Sequence, residues 1–323
     1  MKFYRGPATD HFDGQHFFNP GDGPHGTGRV LKWMMNRKPG PWPKWIDEPL
    51  GARPPERVTG ERIRATFVGH SSVLVQTSAV NILCDPIWSM RASPFSWIGP
   101  RRHRAPGIRF EDLCPIDIVL QSHDHYDHLD IPTQRRIASR WQTKFVVPLG
   151  LRSRFEKHKI ASVERIGELD WWQSLVISEK LKITCVPARH FSGRGLRDRN
   201  KTLWCGYVLE GPAGVIYFAG DTGYGSHFGE IRRRFPEIRL AFLPIGAYLP
   251  QWFMGPVHVS PADAVRAHEE LGAATSIAIH FGTFHLADDA EDLPARELRA
   301  ALALRRQANP FLILGIGEGR DIG

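Results

Sequence analysis

Ser122-His123-Asp124-His125-Tyr126-Asp127-His128-Leu129-Asp130 packs three histidines and three aspartates into nine consecutive residues. The string follows Ile116-Asp-Ile-Val-Leu120, a strand-like run, and precedes a helical run that begins near Ile131. A tight turn at a strand's end throws His123, His125, Asp127 and His128 into one space. Imidazole and carboxylate together suit zinc, with iron or manganese as less preferred occupants. A solvated loop does not explain such a concentration of ligating side chains, so the stretch reads as a metal site.

Outward from it, short β-rich runs follow one another from about residue 62. They are Ile63 to Val68, Val73 to Thr77, Val80 to Cys84, Ile116 to Gln121, Lys144 to Val147, Ser174 to Ser178, Lys182 to Val186, Leu203 to Leu209, Val215 to Ala219 and Leu240 to Leu243. Helical patterns fall at about 131–140, 148–158, 225–235, 260–271 and 294–307. Strands mixed with outer helices predict a layered α/β architecture with two packed sheets. Residues 1–60 are rich in Pro, Gly and Trp, with a short helix-like run from Val30 to Met35 and then Pro39-Gly-Pro-Trp-Pro-Lys-Trp45. Such a segment forms no core of its own and reads as an arm packed on a main domain of residues 61–323. Trp33, Trp42 and Trp45 also suit a membrane interface, although packing is the preferred use.

His-x-His-x-Asp-His, as it stands at residues 123–128, resembles in full the signature of the metallo-β-lactamase superfamily. The resemblance implies a four-layer αββα sandwich with two metals at one edge between the sheets. It also implies a third histidine, a bridging aspartate and a last histidine, each where a strand stops. His190 follows Ile183-Thr-Cys-Val-Pro187, Asp221 follows Val215-Ile-Tyr-Phe-Ala-Gly220, and His280 follows Ser276-Ile-Ala-Ile279. On the family pattern His123, His125 and His190 hold one metal, Asp127, His128 and His280 the other, and Asp221 bridges them. Water shared by two divalent cations loses a proton near neutral pH, so the implied reaction is hydrolysis by a metal-bridging hydroxide with no covalent enzyme intermediate. Asp127, Asp221 and His258 are the implied catalytic residues.

Within the superfamily the chain resembles the N-acyl-phosphatidylethanolamine-hydrolysing phospholipase D group. Several stretches carry this: Asp85-Pro-Ile-Trp-Ser-Met-Arg-Ala-Ser-Pro94 with Gly99-Pro-Arg-Arg102, Phe218-Ala-Gly-Asp-Thr-Gly-Tyr224, and Leu243-Pro-Ile-Gly-Ala-Tyr248 with Trp252-Phe-Met254. His258-Val-Ser-Pro-Ala-Asp-Ala-Val265 and Ala278-Ile-His-Phe-Gly-Thr-Phe284 add to it, as do Phe18-Asn-Pro20 and Leu31-Lys-Trp33 in the arm. The resemblance implies cleavage of a phosphodiester in an N-acylated phospholipid, giving phosphatidic acid and an N-acylethanolamine. It implies two zinc ions, substrate contacts from Tyr126, Tyr248, Leu249, Gln251 and Trp252, and a homodimer. His258 matches a histidine the group places beside the metals, where an imidazole can hydrogen-bond the phosphoryl oxygen or protonate the leaving alkoxide. His258 equally reads as a helix-entry residue before Ser260-Pro261, an N-cap followed by proline. The chain departs from the group at Leu249-Pro-Gln251, where an acid and an arginine are usual, and at Phe191-Ser-Gly-Arg-Gly195 after the third histidine. An apolar mouth could be built from Trp97, Ile98, Leu249, Trp252, Phe253 and Met254.

Bulk properties narrow the alternatives. The net charge is +8, with basic clusters at Arg101-Arg102-His103-Arg104, Arg194 to Lys201 and Arg232-Arg233-Arg234. A basic surface favours phosphate-bearing partners such as anionic membrane, and solvated charge is the plainer account of any single cluster. Nucleic acid is disfavoured, because no spare segment is present to grip it. Cys84, Cys114, Cys185 and Cys205 form no CxxC pair, which predicts buried free thiols in a reducing compartment. Without an apolar N-terminal run or a stretch of about 18 apolar residues, the expected location is cytoplasmic, with peripheral membrane association left open. A sugar-phosphate lactonase or nuclease on the same scaffold is one alternative, and a non-catalytic metal- or lipid-binding protein is another. Seven intact ligands favour the enzyme. Among other residues, His70 is expected to brace the site. Asp85 reads more readily as a turn residue than as an acceptor behind a ligand, nothing fixes His285, and His227 and His268 are expected at the surface.

Overall fold

The structure, a computed structural model, describes residues 3–21, 27–305 and 309–323, without the side chains of Thr27 and Arg29. In chain order its strands are β1 (Ile63–Gly69), β2 (Ser72–Gln76), β3 (Asn81–Cys84), β4 (Ile118–Leu120), β5 (Lys144–Pro148), β6 (Ile166–Leu169), β7 (Ser174–Ser178), β8 (Leu181–Val186), β9 (Gly206–Gly211), β10 (Gly214–Phe218), β11 (Ile238–Pro244), β12 (Thr275–Ile279), β13 (Phe311–Leu312) and β14 (Gly319–Ile322). Its helices are α1 (Thr27–Met35), α2 (Ile131–Arg140), α3 (Arg152–Lys157), α4 (His227–Arg234), α5 (Gln251–Met254), α6 (Pro261–Leu271) and α7 (Leu293–Ala303). The strands form two seven-stranded sheets, ordered β14-β1-β2-β3-β4-β5-β6 and β13-β12-β11-β10-β9-β8-β7. Each sheet is antiparallel on one side and parallel on the other, the parallel runs being β3 to β6 and β10 to β13.

Burial explains the layering. Phe67, Val75, Leu120 and Val146 of the first sheet meet Ile183, Tyr207, Phe218 and Phe242 of the second in one apolar layer. The outer face of the first sheet packs Leu83 and Phe145 beneath Ile137 of α2 and Phe155 of α3. The outer face of the second packs Tyr217 and Ala241 beneath Ile231 of α4, Val265 of α6 and Leu298 of α7. This is the αββα order, and β4, buried throughout, could sit only at such a covered centre.

Several boundaries differ from expectation. Strand β9 starts at Gly206, because Leu203 and Trp204 leave the sheet to pack with Phe12 and Phe17 of the arm. The helix expected at 148–158 contracts to α3, since Gly150 takes a left-handed φ of 83° after Pro148 ends β5. The helix expected at 294–307 ends at Ala303, and positions 306 and 307 lie outside the described residues, as do residues 1–2 and 22–26 of the arm.

Described parts of the arm run along the sandwich through backbone contacts: Gly40 N–H to Asp288 O, Ile46 N–H to His103 O and Gly51 N–H to Gly107 O, each within 2.8 Å. Here three glycines meet, and a Cβ on Gly51 would stand 1.9 Å from the Gly317 carbonyl oxygen. Only glycine permits that approach.

Candidate metal centre

The loop after β4 carries His123, His125, Asp127 and His128, and each further candidate sits just past a strand of the other sheet. His190 follows β8, Asp221 follows β10 and His280 follows β12. Gly220 makes the close approach: its φ is 61°, and a Cβ there would fall 2.7 Å from Ser122 Cβ. The backbone before Asp221 can therefore lie directly against the histidine loop.

Two clusters result. In the first, His125 Nδ1 lies 2.9 Å from His123 Nε2 and 3.1 Å from His190 Nε2. In the second, Asp221 Oδ2 lies 3.1 Å from His128 Nε2 and 3.0 Å from His280 Nε2, and Asp127 Oδ2 is 3.4 Å from both nitrogens. Asp221 Oδ2 also stands 3.8 Å from His190 Nε2, so this carboxylate faces both clusters. His70 Nε2 reaches Asp127 Oδ2 at 2.9 Å, bracing it from behind.

The donor set fits cations. His128 Nε2, His280 Nε2 and Asp221 Oδ1 are buried and make no hydrogen bond, although orphaned polar atoms of this kind are costly in an interior. Three imidazole nitrogens crowd together at His125, where protons cannot satisfy every pair. A metal among them turns mutual repulsion into coordination. Tautomers agree: His190 Nδ1 lies 3.0 Å from the Val257 carbonyl, which can only accept, leaving Nε2 with a free lone pair. His128 Nδ1 likewise donates to Asp85 Oδ2 at 2.7 Å.

Electrostatics point the same way. Burial pushes His123 and His190 well below the ordinary histidine pKa, so both stay neutral as ligands must. Burial opposes the ionised carboxylates of Asp127 and Asp221, but the surrounding histidines, His128 first, hold both well below the usual range. Burial also works against protonated His280, yet the Asp221 carboxylate, with Asp127 beside it, raises it to about 9, a pull on positive charge that a cation would answer in the proton's place. Left-handed backbone recurs around the site, at His70 (φ 58°), Asp85 (φ 38°) and His280 (φ 60°). Strain at non-glycine positions collects where surrounding structure enforces it.

Residues 80–281 match the Beta-lactamase superfamily domain. The chain belongs to that superfamily. It is 39% identical over 264 residues to the N-acyl-phosphatidylethanolamine-hydrolyzing phospholipase D 1 of Caenorhabditis elegans, covering 79% of this chain and 74% of that protein. It is 33% identical over 230 residues to the mitochondrial N-acyl-phosphatidylethanolamine-hydrolyzing phospholipase D of Saccharomyces cerevisiae, covering 69% of this chain and 48% of that one. Among solved structures, the metallo hydrolase Igni18 of Ignicoccus hospitalis superposes with a TM-score of 0.58 at 21% identity, over 81% of this chain and 99% of that one. The fold and the family make this protein a metal-dependent hydrolase that resembles the N-acyl-phosphatidylethanolamine-hydrolysing phospholipase D group.

A cavity of about 550 Å³ opens on the ligand clusters of this hydrolase at His125, Asp127 and Asp221. Beyond them its wall is apolar, with Trp33 of α1, Phe191, Phe253, Met254 and Leu286. Tyr126 lines it as expected, its hydroxyl donating to Arg194 O at 2.9 Å. Four other expected substrate contacts do not line it. Tyr248 is only 1% exposed and is turned into the fold. Gln251 and Trp252 are carried away and exposed because the single turn of α5 presents Phe253 and Met254 inward, and Leu249 lies half-buried ahead of that turn.

His258 lines the cavity with Nδ1 3.9 Å from Asp221 Oδ2, its ring 5.0 Å from that of His190, and burial drives its pKa down to about 4. Ser260, two residues on, caps α6 by accepting from Asp263 N–H at 3.1 Å, so His258 occupies the site and the helix entry at once.

Three expectations for supporting residues are corrected. Asp85 is no mere turn residue: it is fully buried and accepts from Ser122 N–H, Gln121 Nε2 and His128 Nδ1. His227 and His268 are buried, held by Thr222 Oγ1 at 3.1 Å and Ser276 Oγ at 2.7 Å. The basic run at 101–104 is half structural, with Arg102 bound to the Ser89 and Ile87 carbonyls and Arg104 paired with Glu48 and Glu291. His285 stacks on Trp42 and belongs to none of the described ligand clusters. Asn19 was missed as a site residue. Its side-chain amide clamps the His190 backbone, accepting from N–H at 3.2 Å and donating to C=O at 2.9 Å. The only signal was its place in Phe18-Asn-Pro20.

Proposed function

We propose that this hydrolase is a phosphodiesterase of phospholipase D type, acting on N-acyl-phosphatidylethanolamine or a near analogue with two zinc ions. The carrying observation is the cavity, which joins a cluster of cation ligands to a long apolar wall in one continuous space. A phosphodiester anion can lie at the first while its acyl chains occupy the second. The two curated relatives named for this activity support the same substrate class.

His123, His125 and His190 would hold one ion and Asp127, His128 and His280 the other, with Asp221 between them. Two divalent cations held there supply Lewis acidity and lower the pKa of water toward neutrality. Asp85 and the Val257 carbonyl fix the imidazole tautomers, and Asn19 fixes the His190 backbone. His258, pushed down to about 4, is neutral at physiological pH. A neutral imidazole is better suited to donating a hydrogen bond to a phosphoryl oxygen than to delivering a proton, so the first of its two roles is preferred. Phe191, Phe253 and Met254 exclude water from the diester.

A peripheral contact with anionic membrane fits the outer face of α1, where Leu31 and Met34 are exposed beside Lys32 and the same helix lends Trp33 to the cavity. No described helix is long and apolar enough to cross a membrane.

The test is turnover of zinc-loaded protein on N-acyl-phosphatidylethanolamine in mixed micelles, read by mass spectrometry beside a soluble phosphodiester and a sugar-phosphate lactone. N-acylethanolamine should be released, lost with chelator, restored by zinc, and absent for a folded Asp221→Ala variant. Turnover of the soluble substrates alone overturns the lipid assignment and keeps the metal chemistry.

A further inference from the structure

Leaving aside the ligands, Tyr126 and His258, the cavity wall carries one charged side chain among the described residues, that of Arg199. It is exposed to solvent where it lines the cavity. The guanidinium lies 4.7 Å from the Phe191 ring centroid and makes no hydrogen bond or ion pair with any described residue. Partial burial pulls its pKa below the ordinary value, and no carboxylate counters that pull.

The loop explains why this cation is unpaired. The neighbouring carboxylate, Asp198, is already saturated: Oδ1 accepts from Arg194 N–H at 3.0 Å and Gly195 N–H at 2.7 Å, and Oδ2 accepts from Arg154 at 2.7 Å. Arg154 in turn bonds Asp124 in the histidine loop, so the segment is tied to the metal centre. On the other side Asn200 is fixed by Ser192, through N–H to Ser192 O at 2.9 Å. Backbone is thus pinned before and after Arg199 while its side chain points into the cavity. Phe191 carries the charge close to the centre. Its ring lies 4.5 Å from that of His125 and 4.8 Å from that of His190, so Arg199 stands one aromatic ring away from the first ligand cluster.

We propose that Arg199 is the anion-recognition residue of this cavity, holding the phosphate of a phospholipid on the side away from the metal ligands. This specificity role rests on the phosphodiesterase reading above. An Arg fork matches phosphate oxygens bidentately, and the apolar wall beside it strengthens the contact. The phosphomonoester left after cleavage carries more negative charge than the diester, about −1.5 to −2 at neutral pH. Arg199 therefore holds the product phosphatidate more tightly than the diester substrate.

Calorimetry on the zinc-loaded protein tests this with dihexanoyl phosphatidic acid and its uncharged twin, dihexanoylglycerol. Arg199→Gln should weaken phosphatidate binding about tenfold and leave diglyceride binding unchanged, while Arg199→Lys should recover part of the loss. Equal phosphatidate affinity in wild type and Arg199→Gln overturns the proposal. So does an equal loss for both ligands, which marks a packing role. A selective phosphatidate loss in a protein that does not turn over N-acyl-phosphatidylethanolamine supports the anion site and sinks only the substrate assignment.

Discussion

At the residue scale the candidate ligands are held from behind as firmly as they hold each other. Asp85 accepts the His128 Nδ1 proton at 2.7 Å while also tying Ser122 and Gln121 to the same carboxylate. Asp85→Asn keeps the shape and replaces one acceptor oxygen by an NH₂ donor. We expect it to cost about 10–100-fold in metal affinity, the usual range for an outer partner of a ligating histidine, with the fold intact by circular dichroism. Unchanged zinc affinity in a competition titration would show that His128 needs no fixed tautomer. The seven candidate ligands were legible because four fall within six residues and three end apolar runs. Asn19 was not, and Asp85 only as the second of two readings. A lone aspartate before proline looks like a turn, and Asn19 meets His190 across 171 positions of sequence, a distance no local pattern can encode.

Elements divide in the same way. Strands such as β1, β2 and β8, nearly all buried, announce themselves by Val, Ile and Leu runs. Gly319-Arg-Asp-Ile322 carries no such pattern and becomes β14 only because β1 offers it a backbone edge, with Ile63 opposite Ile322. The reverse holds at Leu203 and Trp204, whose strand-like composition is used to plug the space beneath the arm. That junction is pH-sensitive. His11 lies between Asp10 and Asp170, at 2.6 and 2.8 Å, with its ring 4.4 Å from Trp171. Burial opposes its protonation, but the hydrogen bonds to Asp170 and Asp10 outweigh this and raise its pKa. A raised histidine pKa stabilises the docked arm fully below the unfolded value of about 6.5, and that stabilisation is lost as pH climbs through the folded value. Hydrogen exchange at Phe12 and Phe17, corrected for intrinsic rates, should therefore lose protection as pH rises from below about 6.5 through the raised folded value. In His11→Gln the dependence should vanish, and equal protection at both ends in the wild type would refute the link.

For the whole molecule, the last strand closes the first sheet. Ile322 is 5% exposed in the central apolar layer, and its carbonyl accepts from Arg239 of β11 in the opposite sheet. Deleting residues 318–323 should cost more than about 3 kcal/mol, from one buried isoleucine and the lost ladder bonds, read as a shift of the urea midpoint. A shift under half of that would mean that β1 tolerates an open edge. The candidate ligands also divide by sheet: His123, His125, Asp127 and His128 hang from the first, and His190, Asp221 and His280 from the second. Neither sheet owns a working centre. Catalysis in this protein is thus a gauge of alignment between two slabs. A slip of one against the other, too small to expose any core residue, would silence the enzyme before it unfolds, and an ion seated across the seam would act as the rivet that resists the slip.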